Sequence, residues 1–172
     1  MSFYRDQLEN WLSGIEVKAD RVLDVGGKDL PVKGRTKTWE VNKTYAVLDL
    51  PEYDLNDYGG SDEADIVFCL EVMEYIHNPV RAMENLYDLL KFGGTLYITF
   101  QFIYPWHKPV ADDCLRYTRS GVVKLLKDFK MVKIQERFAK YPDKLLDFYK
   151  SGGMHVGGDS IVTGFMVKAR KL

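Results

Sequence analysis

The chain has few of the features that advertise a special architecture. Its 172 residues include two cysteines, Cys69 and Cys114, too few for a disulfide framework. Cys69 lies in an apolar run, where a small buried side chain is the ordinary expectation. A reducing, cytoplasmic setting is the simplest one. No apolar run approaches the roughly 20 residues of a membrane-spanning helix, and acidic residues near the amino terminus stand where a secretory leader would have its apolar core. Charge of one sign is not in surplus either, with 24 lysines and arginines against 25 aspartates and glutamates. No basic stripe therefore points to nucleic acid or to an anionic membrane surface. Spacings of histidine, cysteine and carboxylate typical of a metal site are missing, and there is no G-x-S-x-G elbow to suggest a hydrolase. Glu71 and Glu74 sit three apart around a strand end, and nothing else supports a glycosidase. Repeats and low-complexity segments are absent.

What remains is a composition of 46% apolar and 13% aromatic residues, enough to bury the core of one domain over residues 1–172. Residues 2–14 read as an amphipathic cover helix: Ser2 can cap it, Tyr4, Leu8, Trp11 and Leu12 share a face, and Gly14 ends it. Short apolar runs follow at Arg21 to Val25, Thr44 to Leu48, Asp65 to Leu70 and Thr95 to Phe102, as expected for strands buried on both faces of a parallel sheet. Between the last two, Asn78 and Pro79 open a helix whose stripe is Val80, Met83, Leu86, Tyr87 and Leu90, with Gly93-Gly94 as its stop. A further helix is expected over Ser120 to Phe129 behind Thr118, then an alternating strand over Lys130 to Phe138 and a short helix over Asp143 to Lys150. The glycine-rich Ser151 to Gly158 reads as a loop and Ser160 to Lys168 as a final strand.

Alternating strands and helices with right-handed crossovers predict an α/β, doubly wound sheet of Rossmann-like type, which binds ligands beyond the carboxyl ends of its strands. The expected site lies after Val25, Leu48, Leu70 and Phe100. Spacing adds a restriction. Eighteen residues separate the first two runs and fifteen lie between Asp49 and Asp65. Full helices plus another edge strand do not fit there, so the sheet is expected to be shortened at its second-strand edge. Such an edge calls for a covering amino-terminal helix or a homodimer, since an open edge invites pairing.

The first run ends in Asp24-Val25-Gly26-Gly27-Lys28-Asp29. Glycine here allows a tight turn and close approach of a ligand, and Asp24 could face a cationic ligand group. Asp49 closes the second run 23 residues after Gly26, near the offset of about 20 at which an acidic side chain meets ribose hydroxyls. A plain turn and an exposed loop carboxylate are the structural alternatives. Lys28 and Leu30 occupy positions where a dinucleotide site needs glycine to approach pyrophosphate, which disfavours that ligand. The turn thus suits a nucleoside.

Val22-Leu23-Asp24-Val25-Gly26-Gly27, Leu48-Asp49-Leu50, Ala64-Asp65-Ile66-Val67 and Met83-Glu84-Asn85-Leu86 through Leu90-Lys91-Phe92-Gly93-Gly94-Thr95-Leu96 together resemble the class I S-adenosylmethionine-dependent methyltransferases over most of the chain. Tyr53-Asp54-Leu55-Asn56, Leu70 through Pro79, Phe102-Ile103-Tyr104-Pro105-Trp106-His107 and Asp113-Cys114-Leu115-Arg116-Tyr117-Thr118 narrow the resemblance to a small variant of the type 11 methyltransferase-like group. The chain departs from that group at Lys28 and Leu30, where further glycines are usual, and at Tyr75, where a histidine is usual. The resemblance implies S-adenosylmethionine as cofactor, S-adenosylhomocysteine as product and an antiparallel last strand. It puts Asp24, Gly26 and Gly27 at the methionine end, Asp49 on the ribose and Leu50 on adenine. Asp54, Leu55 and Asn56 would lie near the adenine edge, with Leu70, Glu71 and Val72 bordering the cofactor. Lys28 would be placed to pair with the cofactor carboxylate.

Methyl transfer is an in-line displacement that needs alignment and dryness more than acid–base help. A base is needed for a hydroxyl or a protonated amine. His107, just past the strand ending near Phe102, is the best-placed one; Asp113 could orient it, Arg116 could hold an anionic acceptor and Tyr104 could wall the pocket. In purely structural roles His107 packs beside Trp106, Asp113 caps or pairs locally and Arg116 bridges to an acid. His77 and His155 read as surface or loop residues. The expected acceptor is a small molecule or, by resemblance alone, a saccharide. The alternatives are an inactive cofactor-binding module of the same fold and a nucleotide-dependent oxidoreductase, which would need the phosphate loop that is missing here.

Overall fold

Ser2 opens the first helix, α1 (Phe3–Leu12), by accepting the Arg5 amide on its hydroxyl, a cap worth about 1 kcal/mol. The computed structural model describes residues 2–57, 63–108, 111–151 and 160–172. After α1 come β1 (Glu16–Val25), β2 (Thr38–Leu48), β3 (Ala64–Cys69), a 3-10 turn (Met73–Tyr75), α2 (Pro79–Asp88), β4 (Leu90–Gln101), α3 (Arg119–Leu125), β5 (Phe129–Phe138), α4 (Asp143–Ser151) and β6 (Val162–Lys171). The six strands form one sheet in the order β2-β1-β3-β4-β6-β5. β2, β1, β3 and β4 run parallel, β6 is antiparallel to β4, and β5 is antiparallel to β6. This is the α/β, mostly parallel arrangement expected, with its last strand reversed.

Period-two alternation divides the core. Leu23, Val25, Val67, Cys69, Leu96, Ile98 and Phe100 pack on one face against Ala82, Met83 and Leu86 of α2 and Val122 of α3. Val22, Ile66, Phe68, Tyr97 and Met166 pack on the other with Leu8 and Leu12 of α1. No helix occurs in the described residues between β1 and β2 or between β2 and β3, which is the shortening that the spacing predicted. α1 covers a sheet face, and among the described residues β2 is left as an edge strand paired only with β1.

Several boundaries differ from expectation. β1 and β2 begin earlier because Val17 and Ala19, then Trp39 and Val41, alternate with polar residues and face inward on one side only; a search for wholly apolar runs passes over such half-exposed ends. Asn78 and Pro79 do open α2, with the Arg81 amide on the Asn78 side chain. Its end is Asp88, and Gly93-Gly94 lie inside β4 rather than stopping the helix. There Ala64 pairs with Leu90 and Ile66 with Thr95, so Lys91–Gly94 bulge opposite Asp65 alone, and Gly93 takes the positive φ of 76° that the bulge needs. α3 ends before Phe129, whose apolar side chain falls at helical spacing but whose backbone pairs with Lys171 in β6. Of the expected loop Ser151 to Gly158, Ser151 instead ends α4, and the remainder, with His155, lies outside the described residues. Among the described residues no helix is long and apolar enough to cross a membrane.

Candidate functional site

The parallel strands β1, β2, β3 and β4 end side by side, and the segments leaving them frame two adjoining cavities. At the end of β1 the chain turns at Gly26, with φ of 77°; a Cβ there would lie well inside contact distance of Val72 Cγ2 on the segment after β3. The turn therefore packs directly under the Val72 side chain in a left-handed conformation, which only glycine permits without strain. Gly27 is similarly pressed, by the carboxylate of Asp24.

Asp24 is 2% exposed, and its Oδ2 accepts the Val32 amide at 2.7 Å and the Tyr45 hydroxyl at 2.7 Å. Burial raises its carboxyl above the ordinary range, while those two hydrogen bonds oppose the rise. Asp24 thus ties the loop after β1 to the sheet as well as lining the smaller cavity. The same loop is held to α1 by Arg35, whose guanidinium meets Glu9 at 2.7 Å.

The larger cavity, about 610 Å³, lies over the ends of β1 and β2. Asp49, Leu50, Asp54, Leu55, Asn56, Glu71 and Val72 all contribute to its wall, as do Tyr53 and Ile76. Asp49 accepts the Lys28 amide at 2.9 Å and its own neighbour's amide, Leu50 N, at 2.8 Å. Each carboxylate oxygen has a second lone-pair direction, so a ligand hydroxyl can still be accepted. Asp54 and Asn56 hold each other, with the Asn56 amide group donating to Asp54 Oδ1 at 2.9 Å, and Asn56 Oδ1 accepts the Asn78 amide. Lys28 lines neither cavity; its ammonium donates to the Leu50 carbonyl at 3.3 Å, clipping the two loops together at the rim.

The smaller cavity, about 310 Å³, adjoins the larger through Gly26, Asp29, Glu71 and Tyr75, and carries Leu70, Glu74, Tyr104 and His107 on its wall. Its floor is a buried polar network. Glu71 sits in the left-handed region, φ 57°, a strained conformation for a residue with a side chain. Its carboxylate receives Arg137 from β5 through two contacts of 2.5 and 3.1 Å, Thr99 Oγ1 at 2.8 Å and Gln101 Nε2 at 3.0 Å. Burial alone would push the Glu71 carboxyl up, but the charge and hydrogen bonds of Arg137, with Thr99 and Gln101, hold it below the ordinary value. Arg137 is wholly buried, under the ring of Tyr4 at 4.2 Å, and the Tyr4 hydroxyl donates to Gln101. Glu74 takes the second hydrogen bond of the Gln101 amide, at 3.0 Å. Burial and the adjacent Glu71 charge push the Glu74 carboxyl up to about 7.

Beyond β4 the chain brings His107, Asp113 and Arg116 into one chain of contacts. His107 Nδ1 lies 3.0 Å from Asp113 Oδ2, which also accepts the His107 amide at 2.9 Å, and Nε2 lies 3.1 Å from the Tyr75 hydroxyl. With Nδ1 donating to the carboxylate, Nε2 is the accepting nitrogen and the Tyr75 hydroxyl its donor. Burial, then the charges of Glu74 and Asp113, raise the Tyr75 hydroxyl to about 12, so it stays protonated. Asp113 is held far below the usual carboxylate range, mainly by its hydrogen bonds to Arg116. Arg116 donates to Asp113 at 2.5 and 2.7 Å and to the carbonyls of Tyr104, Pro105 and Leu115. All five guanidinium N–H groups are used in that way, and Arg116 lines neither cavity. It braces the loop instead of offering itself to an anionic acceptor. Tyr104 lies between Tyr4, at 4.5 Å between ring centres, and His107, at 5.2 Å.

Sequence reasoning missed Arg137 altogether and gave Tyr4 only a place on the packed face of the first helix, because both reach the site from elsewhere in the chain, α1 and β5. Tyr45 was equally hidden, and Glu74 appeared only as a neighbour of Glu71. A polar residue in an otherwise apolar strand, such as Gln101 at the end of β4, was the one available signal of a buried network.

Residues 32–98 match the sequence model of a family described as a methyltransferase domain. The N-methyltransferase NodS of Bradyrhizobium japonicum, solved with S-adenosylhomocysteine, is 12% identical, with a TM-score of 0.64 over 98% of this chain and 87% of NodS. The 1,6-didemethyltoxoflavin-N1-methyltransferase of Burkholderia thailandensis, solved with its substrate and S-adenosylhomocysteine, is 17% identical, with a TM-score of 0.60 over 98% of this chain and 76% of that one. The cyclase SpnF is 13% identical, with a TM-score of 0.64 over 96% and 80%. No curated protein matches the sequence. The chain has the class I methyltransferase fold, and the methyltransferase-domain match spans residues 32–98, from the loop after β1 into β4. At these identities the likeness to the solved structures is one of fold.

Proposed function

We propose that the protein transfers a methyl group from S-adenosylmethionine to a small-molecule or saccharide acceptor, as a cytoplasmic enzyme. The observation that carries this reading is the pair of adjoining cavities at the carboxyl ends of the parallel strands, sharing Gly26 and Glu71. The larger has the shape and chemistry for a nucleoside: a carboxylate at the end of β2, apolar walls from Leu50, Val72 and Ile76, and a backbone cradle that a Cβ at Gly26 would obstruct. When bound there, S-adenosylmethionine supplies a methyl group already activated by the sulfonium charge.

The chain's own residues then have three tasks. Asp49 accepts a ribose hydroxyl, while Leu50 and Val72 flank the base and Asp54, Leu55 and Asn56 close its far side. Asp24 and the Gly26-Gly27 backbone face the amino-acid end, with Leu70 and Glu71 beside it. Tyr104, Tyr75 and His107 wall the acceptor chamber and exclude water from it, and Asp113, braced by Arg116, fixes the imidazole so that Tyr75 is held by Nε2. For His107 itself to take a proton, its hydrogen bond with Tyr75 must first be exchanged for one with the acceptor.

Thermal unfolding with S-adenosylhomocysteine against NAD tests the reading. Ligand at 100 times its dissociation constant stabilises by about 2.7 kcal/mol, which raises Tm by several degrees for a chain of this size. Stabilisation by S-adenosylhomocysteine and not by NAD is expected. No stabilisation at millimolar S-adenosylhomocysteine would refute the proposal, and stabilisation by NAD alone would favour the oxidoreductase.

A further inference from the structure

Glu74 is 1% exposed, lines the smaller cavity, and has one carboxylate oxygen, Oε2, with no hydrogen-bond partner among the described residues. A buried oxygen left in that state costs about 1–3 kcal/mol, more when charged. Neither the cofactor-binding residues nor the His107 chain uses it. The backbone around it is fixed, because the Glu74 carbonyl accepts the amides of Cys114 and Leu115 at 2.9 and 3.1 Å. Its other oxygen is fixed by Gln101. Glu74 thus stands on the wall of the chamber with its frame held in place and one acceptor position unfilled.

Resting on the proposed methyl transfer, we infer that Glu74 is the catalytic residue that receives the acceptor's proton, and that the acceptor is an amine entering as its ammonium ion. The charge of the chamber favours this class. Carboxylates of Asp24, Asp29, Glu71 and Glu74 line it, Glu71 being already neutralised by Arg137, against the guanidinium groups of Arg5 and Arg35, of which Arg35 is already paired with Glu9, so Asp24, Asp29 and Glu74 face Arg5 alone. An ammonium brings both the positive charge and the N–H donor that Oε2 lacks. The titration of Glu74 matches the same class. A carboxylate poised near 7 can take a proton from an ammonium, which releases it at about 8–10, but not from an unactivated hydroxyl, which like water holds its proton to about 16.

The groups that face Glu74 come from every element around it. Glu71 and Tyr75 flank it in its own segment, and Cys69 lies below in β3. Tyr4 comes from α1, Arg137 from β5, and Tyr104, His107, Arg116 and Tyr117 from the segment after β4. Glu71 opposes ionisation of Glu74, while His107 and the hydrogen bond from Gln101 favour it; burial opposes it most. In the step itself, the ammonium N–H bond breaks and its proton passes to Oε2. The freed nitrogen lone pair forms the N–C bond as the methyl–sulfur bond breaks, its electron pair remaining on sulfur. The products are a methylated ammonium ion and S-adenosylhomocysteine, and the proton on Glu74 is released to solvent.

Two readouts on the full chain test this. The first is binding: with S-adenosylhomocysteine saturating, benzylamine should bind more tightly as pH rises through about 7. Glu74→Gln should weaken it at least tenfold near pH 8 and remove the pH dependence, while binding S-adenosylhomocysteine within threefold of wild type. The second is turnover, followed as S-adenosylhomocysteine release with matched panels of aliphatic amines, aromatic amines, amino sugars and alcohols. Amines should be methylated with a rate that rises through about pH 7; Glu74→Gln should lose about 10²–10⁴-fold, whereas His107→Asn should be slower but keep the rise near 7. Equal benzylamine binding in Glu74→Gln, a pH limb that survives in that variant, turnover with alcohols only, or no turnover with any amine would each overturn the inference. Failure of the wild type to bind S-adenosylhomocysteine would instead overturn the proposed function on which it rests.

Discussion

Replacing Gly26 by alanine adds one methyl carbon at a position where the backbone has a φ of 77° and where Val72 Cγ2 already occupies the space. Two costs are expected. A left-handed conformation costs a residue with a Cβ about 1–2 kcal/mol, and forcing an extra carbon into a packed crossing costs about 1–3 kcal/mol. Gly26→Ala should therefore lose about 2–5 kcal/mol by those two principles, read as a lower urea midpoint at constant slope. Only the second cost depends on Val72. In the double variant Gly26→Ala/Val72→Ala, the clash disappears and the backbone strain remains, so the two substitutions should couple favourably by about 1–3 kcal/mol. S-Adenosylhomocysteine titration should report the same pattern, with affinity lost in Gly26→Ala and partly recovered in the double variant. A Gly26→Ala protein within about 0.5 kcal/mol of wild type would refute the steric reading. Destabilisation without coupling would show that Val72 is not the obstacle.

Arg137→Met strands the buried Glu71 charge and should destabilise by about 3–5 kcal/mol in denaturant titrations, with Glu71→Gln in the same chain recovering much of the loss; equal stability of the single variant would show the pair to be solvated. Glu74 makes the opposite prediction. Its folded carboxyl titrates near 7, above the ordinary 4.5, so between those values the folded state holds a proton that the unfolded state has released, and stability falls as pH rises through that window. The fall amounts to about 3 kcal/mol, and Glu74→Gln should be the more stable protein near pH 8 and lack that slope; a variant less stable than wild type at pH 8 contradicts it. Asp49→Ala should weaken S-adenosylhomocysteine binding by about 1.5–3 kcal/mol, or about 10- to 150-fold, by calorimetry, and an unchanged affinity would remove Asp49 from the ribose role.

The sequence carried the parts of the fold that are local. Asn78-Pro79 opened a helix because capping is a matter of neighbouring residues, and the short gaps around β2 excluded helices by length alone. Glycine at 93 and 94 misled for the same reason: a glycine pair after a helical stripe reads as a stop, although the strand had already begun at Leu90 and the glycine serves a bulge opposite Asp65. In the candidate site, Asp49 was legible from its spacing after Gly26, and Leu50, Asp54, Leu55 and Asn56 only through the family resemblance; all five line the larger cavity. Arg137 and Tyr4 were not, since 66 and 97 residues separate their partners and only the register of antiparallel β5 and β6 decides which of many charged residues points inward. The bridge from Arg116 to an acid was among the structural alternatives and is found at Asp113, whereas its bonds to three carbonyls were not legible, because they depend on how a loop folds back on itself.

The pairing of Glu71 with Arg137 also imposes an order on assembly. Glu71 emerges from synthesis 66 residues ahead of its counter-ion, and by then β1, β2 and β3 and the whole nucleoside-facing wall have been made. Until β5 arrives and β6 wedges between it and β4, the growing chain holds an acidic pocket without its cation, poorly suited to closing over any ligand. Ligand-binding competence is thereby postponed to the final strands, so a ribosome-bound fragment ending before residue 137 would have β1 to β4 and no site.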